Sequence, residues 1–171
     1  MFGGLYSEVL SVIRAWEPKQ NYNSELKFRD DLISFLREEL NKTGSPFALG
    51  PKKRINLKKE DGRGLCDIAV DGSIGVELKR NLKGKSQIDR LLGQVQRYKR
   101  FYGHIIIVLV GNISRDALDD LHDALEDLKG NQMGLSLTPE PDIKVVDKSA
   151  GTKKKKPSGP FGLGIGTDRL W

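Results

Sequence analysis

The spacing of apolar residues changes along the chain, and each spacing predicts a different kind of element. Four stretches repeat apolar side chains every three or four residues, which is typical of amphipathic helices. These stretches are residues 2–16, 24–40, 86–102 and 114–128. The predicted N-terminal caps are Ser24 (or its neighbour Asn23) for the second stretch and Ser86 for the third, and the fourth helix is predicted to follow from Ser114.

The segments between these helices have the shorter repeat or the continuous apolar run of β-strands. Strands are predicted over residues 53–59, 64–70, 74–79, 104–110 and 143–146. The second and third are joined by the short turn Asp71-Gly72-Ser73, which predicts a β-hairpin. The fourth is apolar without polar alternation, which predicts a strand covered on both faces.

The predicted element order is an extra N-terminal helix followed by α-β-β-β-α-β-α-β. A hairpin joined to a βαβ unit implies an α/β fold with a mixed sheet and helices on both sides of it. Residues 1–148 are expected to form this domain. Residues 149–171 contain glycine, proline and lysine with few large apolar side chains, and are expected to form a basic, flexible tail.

Composition narrows the class of protein. The chain has 171 residues, of which 37% are hydrophobic, and this suits one domain with an extension. No stretch approaches the roughly 18 apolar residues of a membrane span, and no secretory signal pattern is visible, so a cytoplasmic location is expected. A single cysteine, Cys66, excludes an internal disulfide and a cysteine-rich zinc site. The two histidines, His104 and His122, give little support to histidine-dependent catalysis, and His104 is expected only to begin a strand.

Charge is distributed unevenly over the chain, whose net charge is +6. Residues 52–100 hold fourteen Lys and Arg against six Asp and Glu, whereas residues 116–127 hold six acids and no Lys or Arg. Residues 149–171 add five bases against one acid. This separation favours an oriented nucleic-acid-binding face over general solubility, although an ordinary mixed surface is the alternative.

Two carboxylates and a lysine end the apolar hairpin. Pairing of its strands would bring Asp67 and Glu77 side by side, and strand alternation would point Lys79 to the same face as Glu77. Charges beside such an apolar element are unfavourable unless they bind a metal or pair with one another. Carboxylates with room for water are suited to Mg²⁺, and an ammonium group beside them can orient water or stabilise charge on a phosphate.

Asp67 in Gly64-Leu65-Cys66-Asp67, followed by Glu77-Leu78-Lys79, resembles the PD-(D/E)xK, or restriction-endonuclease-like, nuclease superfamily. The αβββαβ core of that superfamily agrees with the order predicted for residues 24–110. Gln94 and Tyr98 resemble the QxxxY element of RecB-type and Cas4-type exonucleases, and archaeal Holliday-junction resolvases are an equally suitable branch. One departure is that Cys66 stands where the superfamily's name has proline.

The resemblance implies a deoxyribonuclease that depends on Mg²⁺ or Mn²⁺ and acts in DNA repair, recombination or defence. Family members often place a further glutamate on the first core helix, where Glu25 stands. Glu25, Asp67 and Glu77 would then bind the metal, with Lys79 as catalytic base or charge-stabilising group. Gln94 and Tyr98 would contact the phosphate backbone or brace that lysine. Further candidates for phosphate contact are Arg63, Arg80, Arg97, Lys153, Lys154, Lys155 and Lys156.

Each candidate residue also has a purely structural interpretation. Glu25 lies four residues before Arg29 and could form a helix-surface pair with it. Asp67 could cap a turn, and Glu77 with Lys79 could be a solvent-facing pair. Gln94 and Tyr98 could be residues at the boundary of a helix face.

Two other functions remain open for the whole chain. An inactive member of the fold could bind nucleic acid or act in assembly, and the basic tail would then matter more than the acids. An adaptor could instead dock on a protein partner through Arg169-Leu170-Trp171. A homodimer is also considered, because small nucleases of this fold often act as dimers.

Overall fold

A computed structural model describes residues 4–42, 55–59, 65–130 and 141–149. Four helices lie within these ranges: α1 (Leu5–Ala15), α2 (Glu25–Lys42), α3 (Gly84–Tyr98) and α4 (Arg115–Gly130). The same ranges contain five strands: β1 (Leu57–Lys59), β2 (Ile68–Val70), β3 (Ile74–Arg80), β4 (His104–Gly111) and β5 (Asp142–Ser149). The predicted order of helices and strands is therefore confirmed. The tail predicted over 149–171 was wrong at its first residue, because Ser149 ends β5, and the rest of that segment lies outside the described residues.

The five strands form one mixed sheet in the order β1-β2-β3-β4-β5. β1, β2 and β3 pair antiparallel, whereas β3, β4 and β5 pair parallel. The predicted hairpin is β2–β3, in which Ile68 pairs with Val76. Its turn places Asp71 and Gly72 at φ values of 49° and 68°. Positive φ at both central positions suits the right-handed twist of the two strands.

Helices cover both faces of the sheet, as predicted. On one face, Val9 and Ile13 of α1 and Leu32 of α2 pack with alternate residues of β3 and β4, such as Leu78 and Val108. On the other face, side chains of α3 and α4 pack with the opposite set of β4 residues. The helices contribute Leu91 and Leu121 to this second core, and β4 contributes Ile105, Ile107 and Leu109. β4 is therefore buried along nearly its whole length, which explains its lack of polar alternation.

One of the two predicted helix caps, Ser24, is confirmed, and Ser114 also caps its helix. The hydroxyl of Ser114 accepts a hydrogen bond from the backbone N–H of Ala117 at 3.2 Å, and that of Ser24 accepts a longer one from Lys27 at 3.4 Å. The prediction for Ser86 was wrong, because α3 already begins at Gly84. The N-cap residue is Lys83, whose side chain makes no capping hydrogen bond, and the side chain of Gln87 accepts the backbone N–H of Lys83 at 2.7 Å.

Other boundaries differ by a few residues. The strand predicted over 143–146 extends over Asp142–Ser149, since parallel pairing with β4 continues along the whole of that strand. His104 begins β4, as expected, and its ring stacks on Tyr6 of α1 at 4.0 Å between centroids. None of the described helices is both long enough and apolar enough to cross a membrane.

Candidate functional site

Asp67 lies immediately before β2, at the point where β2 and β3 stop pairing. The last register pair at this end is Ile68 with Val76, so Asp67 stands opposite Glu77. The backbone N–H of Leu78 donates to Asp67 Oδ2 at 2.8 Å. The side chain of Asp67 thus takes the place of a backbone acceptor for the Leu78 N–H. The predicted proximity of Asp67 to Glu77 is confirmed.

Glu77 is 2% exposed and has polar partners on both carboxylate oxygens. Lys79 Nζ lies 2.6 Å from Glu77 Oε1, and the hydroxyl of Tyr98 donates to Glu77 Oε2 at 3.0 Å. The contact between Glu77 and Lys79 confirms that the two side chains share one face of β3. Tyr98, itself 2% exposed, reaches the same carboxylate from α3.

Glu25 is the first residue of α2 and lies against the end of β3. Its Oε1 accepts the backbone N–H of Arg80 at 2.9 Å. The guanidinium of Arg80 in turn donates from Nε to the backbone oxygen of Tyr22 at 3.0 Å. These two bonds hold the start of α2 beside Lys79, so Glu25, Asp67, Glu77 and Lys79 meet at one edge of the sheet.

Burial and mutual repulsion raise the pKa values of two acids in this group. For Asp67 the larger cause is desolvation, and the charge of Glu25 raises the pKa further, although the Leu78 N–H and Lys79 oppose this. Desolvation is also the first cause for Glu77, whose pKa the charge of Asp67 raises as well. Burial lowers the pKa of Lys79, but the charge and hydrogen bond of Glu77 outweigh it, and that pKa lies above its ordinary value.

A cavity of about 220 Å³ opens beside these charges. It is lined by Glu25, Lys79, Arg80, Leu82, Gln87, Arg90 and Gln94. The predicted residues Arg80 and Gln94 therefore lie at the site, whereas the sequence patterns did not predict Gln87 and Arg90. The signal that could have found them is helical spacing, because residues 87, 90 and 94 share one face of α3. Within the described residues, Arg90 forms no ion pair or hydrogen bond, so its guanidinium is available to a ligand.

Arg29 is a second residue of the site that the sequence patterns did not predict. Its side chain is 11% exposed, and its charge lowers the pKa of Asp67. Its position one turn after Glu25 predicted only a surface pair between the two. The structure instead places Arg29 Nε 3.5 Å from Asp30 Oδ1, and its effect on Asp67 is the smallest of the causes that act on that pKa.

The remaining predicted contacts with nucleic acid divide into three groups. Tyr98 lies beneath Glu77, which fits the bracing role and leaves little surface for a phosphate. Arg97 is exposed on α3 and is not among the residues that line the cavity. Arg63 and Lys153 to Lys156 lie outside the described residues.

The carboxylate oxygens of the site can be compared with the ligands that a divalent cation requires. Among the described residues, no three Asp, Glu, His or Cys side chains form a group that could hold a metal ion. Glu25 and Asp67 each use one oxygen for a backbone N–H, and their second oxygens have no partner among the described residues. Because Mg²⁺ is commonly bound through one or two carboxylates with water and phosphate oxygens, Glu25 and Asp67 fit this ion. Glu77 has both oxygens engaged.

No protein-family model, no curated protein and no solved structure matches this chain. The residues of the site and their geometry therefore carry the functional assignment.

Proposed function

We propose that this protein is a Mg²⁺-dependent nuclease that hydrolyses DNA phosphodiester bonds, with a restriction-endonuclease-like core. The observation that carries the proposal is the meeting of Glu25, Asp67, Glu77 and Lys79 at one edge of the sheet, beside a cavity with an unpaired arginine. These residues come from α2, the segment before β2, and β3. A surface ion pair would not require acids from three separate segments to converge on one lysine.

Each residue has a role that its geometry supports. Glu25 and Asp67 would hold the divalent cation, which supplies charge neutralisation for the phosphate when bound. Lys79 is held beside the cavity by Glu77, and its raised pKa keeps it an ammonium at neutral pH. This protonation state favours charge stabilisation and orientation of water over the role of catalytic base. Arg90 and Gln94, across the cavity, would contact phosphate oxygens and so position the strand.

A cleavage panel tests the proposal. Linear, single-stranded, branched and circular DNA are incubated with the protein and Mg²⁺, Mn²⁺ or EDTA. Cleavage is expected only with metal, and Asp67→Ala and Lys79→Ala are expected to lose at least about a hundredfold in rate. The first variant removes a ligand of the cation, and the second removes the ammonium group that stabilises charge on the phosphate. Matched controls are Asp89→Ala on α3 and Lys144→Ala on β5, both exposed and outside the cavity. Cleavage of no substrate, or full activity of the two site variants, would contradict the nuclease assignment.

A second function, binding of nucleic acid without cleavage, is favoured by one specific observation. Both oxygens of Glu77 are engaged by Lys79 and Tyr98, so this carboxylate has no oxygen left for a cation. Calorimetric titration with Mg²⁺ separates the two functions. A nuclease should show heat that Asp67→Ala abolishes, whereas an inactive domain should bind DNA and show no heat with Mg²⁺.

A further inference from the structure

A second cavity, of about 460 Å³, lies at the carboxyl ends of β4 and β5. Its lining includes Glu17, Gln20 and Asn21 from the segment between α1 and α2, Phe28 from α2, Gly111 at the end of β4 and Asp147 near the end of β5. The volume falls in the range of small-molecule sites. The carboxyl end of parallel strands is also where open α/β sheets bind their ligands.

The polar groups of this cavity that have no partner among the described residues belong to two carboxylates and two amides. The side chains of Glu17, Gln20 and Asn21 make no hydrogen bond within the described part of the chain. Asp147 uses Oδ1 to accept the N–H of Ser149 at 2.8 Å, and its Oδ2 carries no bond to a described residue.

The two lysines of the lining are already engaged. Lys19 pairs with Asp31 at 3.6 Å, and Lys148 donates to the backbone oxygen of Arg14 at 2.5 Å. Neither contact joins a lysine to Glu17 or Asp147, so within the described residues these two carboxylates remain available as acceptors. They favour an uncharged group that donates hydrogen bonds.

The second cavity is a close neighbour of the candidate site. Tyr22 lies between the two: its backbone oxygen accepts from Arg80 of the first cavity, and its ring packs edge-on against Phe28 of the second at 5.1 Å. The ends of β3 and β5 are two strand spacings apart, or about 10 Å. That separation corresponds to roughly three base steps along a nucleic-acid strand, at about 3.4 Å per step.

We propose that this second cavity binds a nucleobase with an exocyclic amino group, cytosine above all, from a strand whose phosphate lies at the candidate site. Glu17 and Asp147 would accept from the cytosine amino group, which carboxylates recognise, and Gln20 or Asn21 would donate to its ring acceptors. Thymine presents a carbonyl oxygen where cytosine presents the amino group, so the carboxylates would repel it. The inference rests on the proposed function only in taking the ligand to be a nucleic-acid strand.

Binding without cleavage tests this assignment. Labelled oligodeoxycytidine and oligodeoxythymidine strands of equal length are titrated with the full-length protein in EDTA, and fluorescence anisotropy gives the ratio of their dissociation constants. The cytidine strand is expected to bind roughly tenfold more tightly. The double variant Glu17→Gln with Asp147→Asn is expected to reduce this ratio below about twofold, because both acceptors become amides.

The control is Asp119→Asn with Asp120→Asn on α4, which removes the same charge from exposed positions outside both cavities. It should keep the ratio of the wild-type protein. Thermal unfolding checks that both double variants are folded. If the Glu17→Gln, Asp147→Asn variant is not folded, the single variant Glu17→Gln, at an exposed position, gives the same test.

The outcomes separate this proposal from the nuclease assignment. Equal binding of the two strands, no binding of either, or a ratio that the double variant leaves unchanged would overturn the base-binding cavity, even if the protein cleaves DNA. A ratio that depends on Glu17 and Asp147 would support the cavity, even if no DNA is cleaved.

Discussion

Glu77 is a charged side chain with 2% exposure, and two neighbours make that burial tolerable. Lys79 supplies the opposite charge, and Tyr98 supplies a hydroxyl donor from beneath the sheet. Buried charges need such partners because an unpaired one loses its hydration without replacement. The burial of Asp67 is offset only in part by its neighbours, because its pKa stays raised despite the nearby charge of Lys79.

At the residue scale, Asp67→Asn should stabilise the protein without metal. The folded-state pKa of Asp67 is raised, so the folded chain holds a proton more tightly and loses stability as pH rises above the unfolded value of about 4. The asparagine keeps an oxygen for the Leu78 N–H but carries no charge. We expect a gain of roughly 1 kcal/mol at pH 7 that shrinks towards pH 4. Urea unfolding in EDTA across this pH range measures it, with exposed Asp89→Asn as control, and a gain that is the same at every pH would contradict the prediction.

Tyr98→Phe tests the donor beneath Glu77. The variant keeps the buried ring and removes only the hydroxyl that donates to Glu77 Oε2. Loss of a donor to a buried charged acceptor should cost about 1 to 3 kcal/mol of unfolding free energy. Urea unfolding gives this value, and Tyr22→Phe, a partly buried tyrosine, is the matched control. A stability equal to that of the wild-type protein would mean that water replaces the hydroxyl.

At the scale of elements, close packing of the β2–β3 hairpin against the segment that follows α3 sets the position of the site. Gly75 of β3 faces Cys66 and Tyr102 so closely that there is no space for a methyl group. This approach brings β3 near α3, from which Tyr98 reaches Glu77. Close packing therefore requires a glycine at position 75, which lies within a strand and not in a turn.

Gly75→Ala and Gly93→Ala form a matched pair for this element. A Cβ at Gly75 would lie 2.5 Å from Cys66 Sγ and 2.8 Å from a ring carbon of Tyr102, whereas a Cβ at Gly93 on α3 would meet nothing within 4 Å. Overpacking should destabilise Gly75→Ala by about 1 to 3 kcal/mol. Gly93→Ala should stabilise by up to about 1 kcal/mol, because alanine favours a helix. Thermal unfolding of both variants measures the difference, and changes of the same sign would refute the packing role of Gly75.

At the scale of the whole molecule, both cavities open towards the carboxyl ends of the parallel strands. The start of α2 and the segment before it contribute to both, through Glu25 to one and through Gln20 and Asn21 to the other. One edge of the sheet thus presents charged groups suited to a phosphate beside acceptors suited to a base. The acidic residues of α4 lie on the helical layer that covers the opposite face from α1 and α2.

Truncation after Ser149 separates this edge from the basic segment that follows it. Residues 150–171 contain five bases against one acid, so their removal should weaken DNA binding. The slope of log K against log salt should fall by up to about 4, since each phosphate that a base neutralises adds about 0.9 to it. Anisotropy titrations over a salt series measure the slope. Replacing Lys153 to Lys156 with glutamine should have most of the same effect, and a truncation effect without it would contradict phosphate contact by these lysines.

Local sequence patterns alone determined much of this protein. Strand alternation required Glu77 and Lys79 to share a face, and the hairpin turn required Asp67 to lie opposite Glu77. The tertiary structure decided which distant groups complete the site. Glu25 and Arg80 are 55 residues apart, and Tyr98 and Glu77 are 21 apart, so no local repeat links them. Their contacts depend on how α2 and α3 pack on the sheet, which is set by burial of apolar surface over the whole domain.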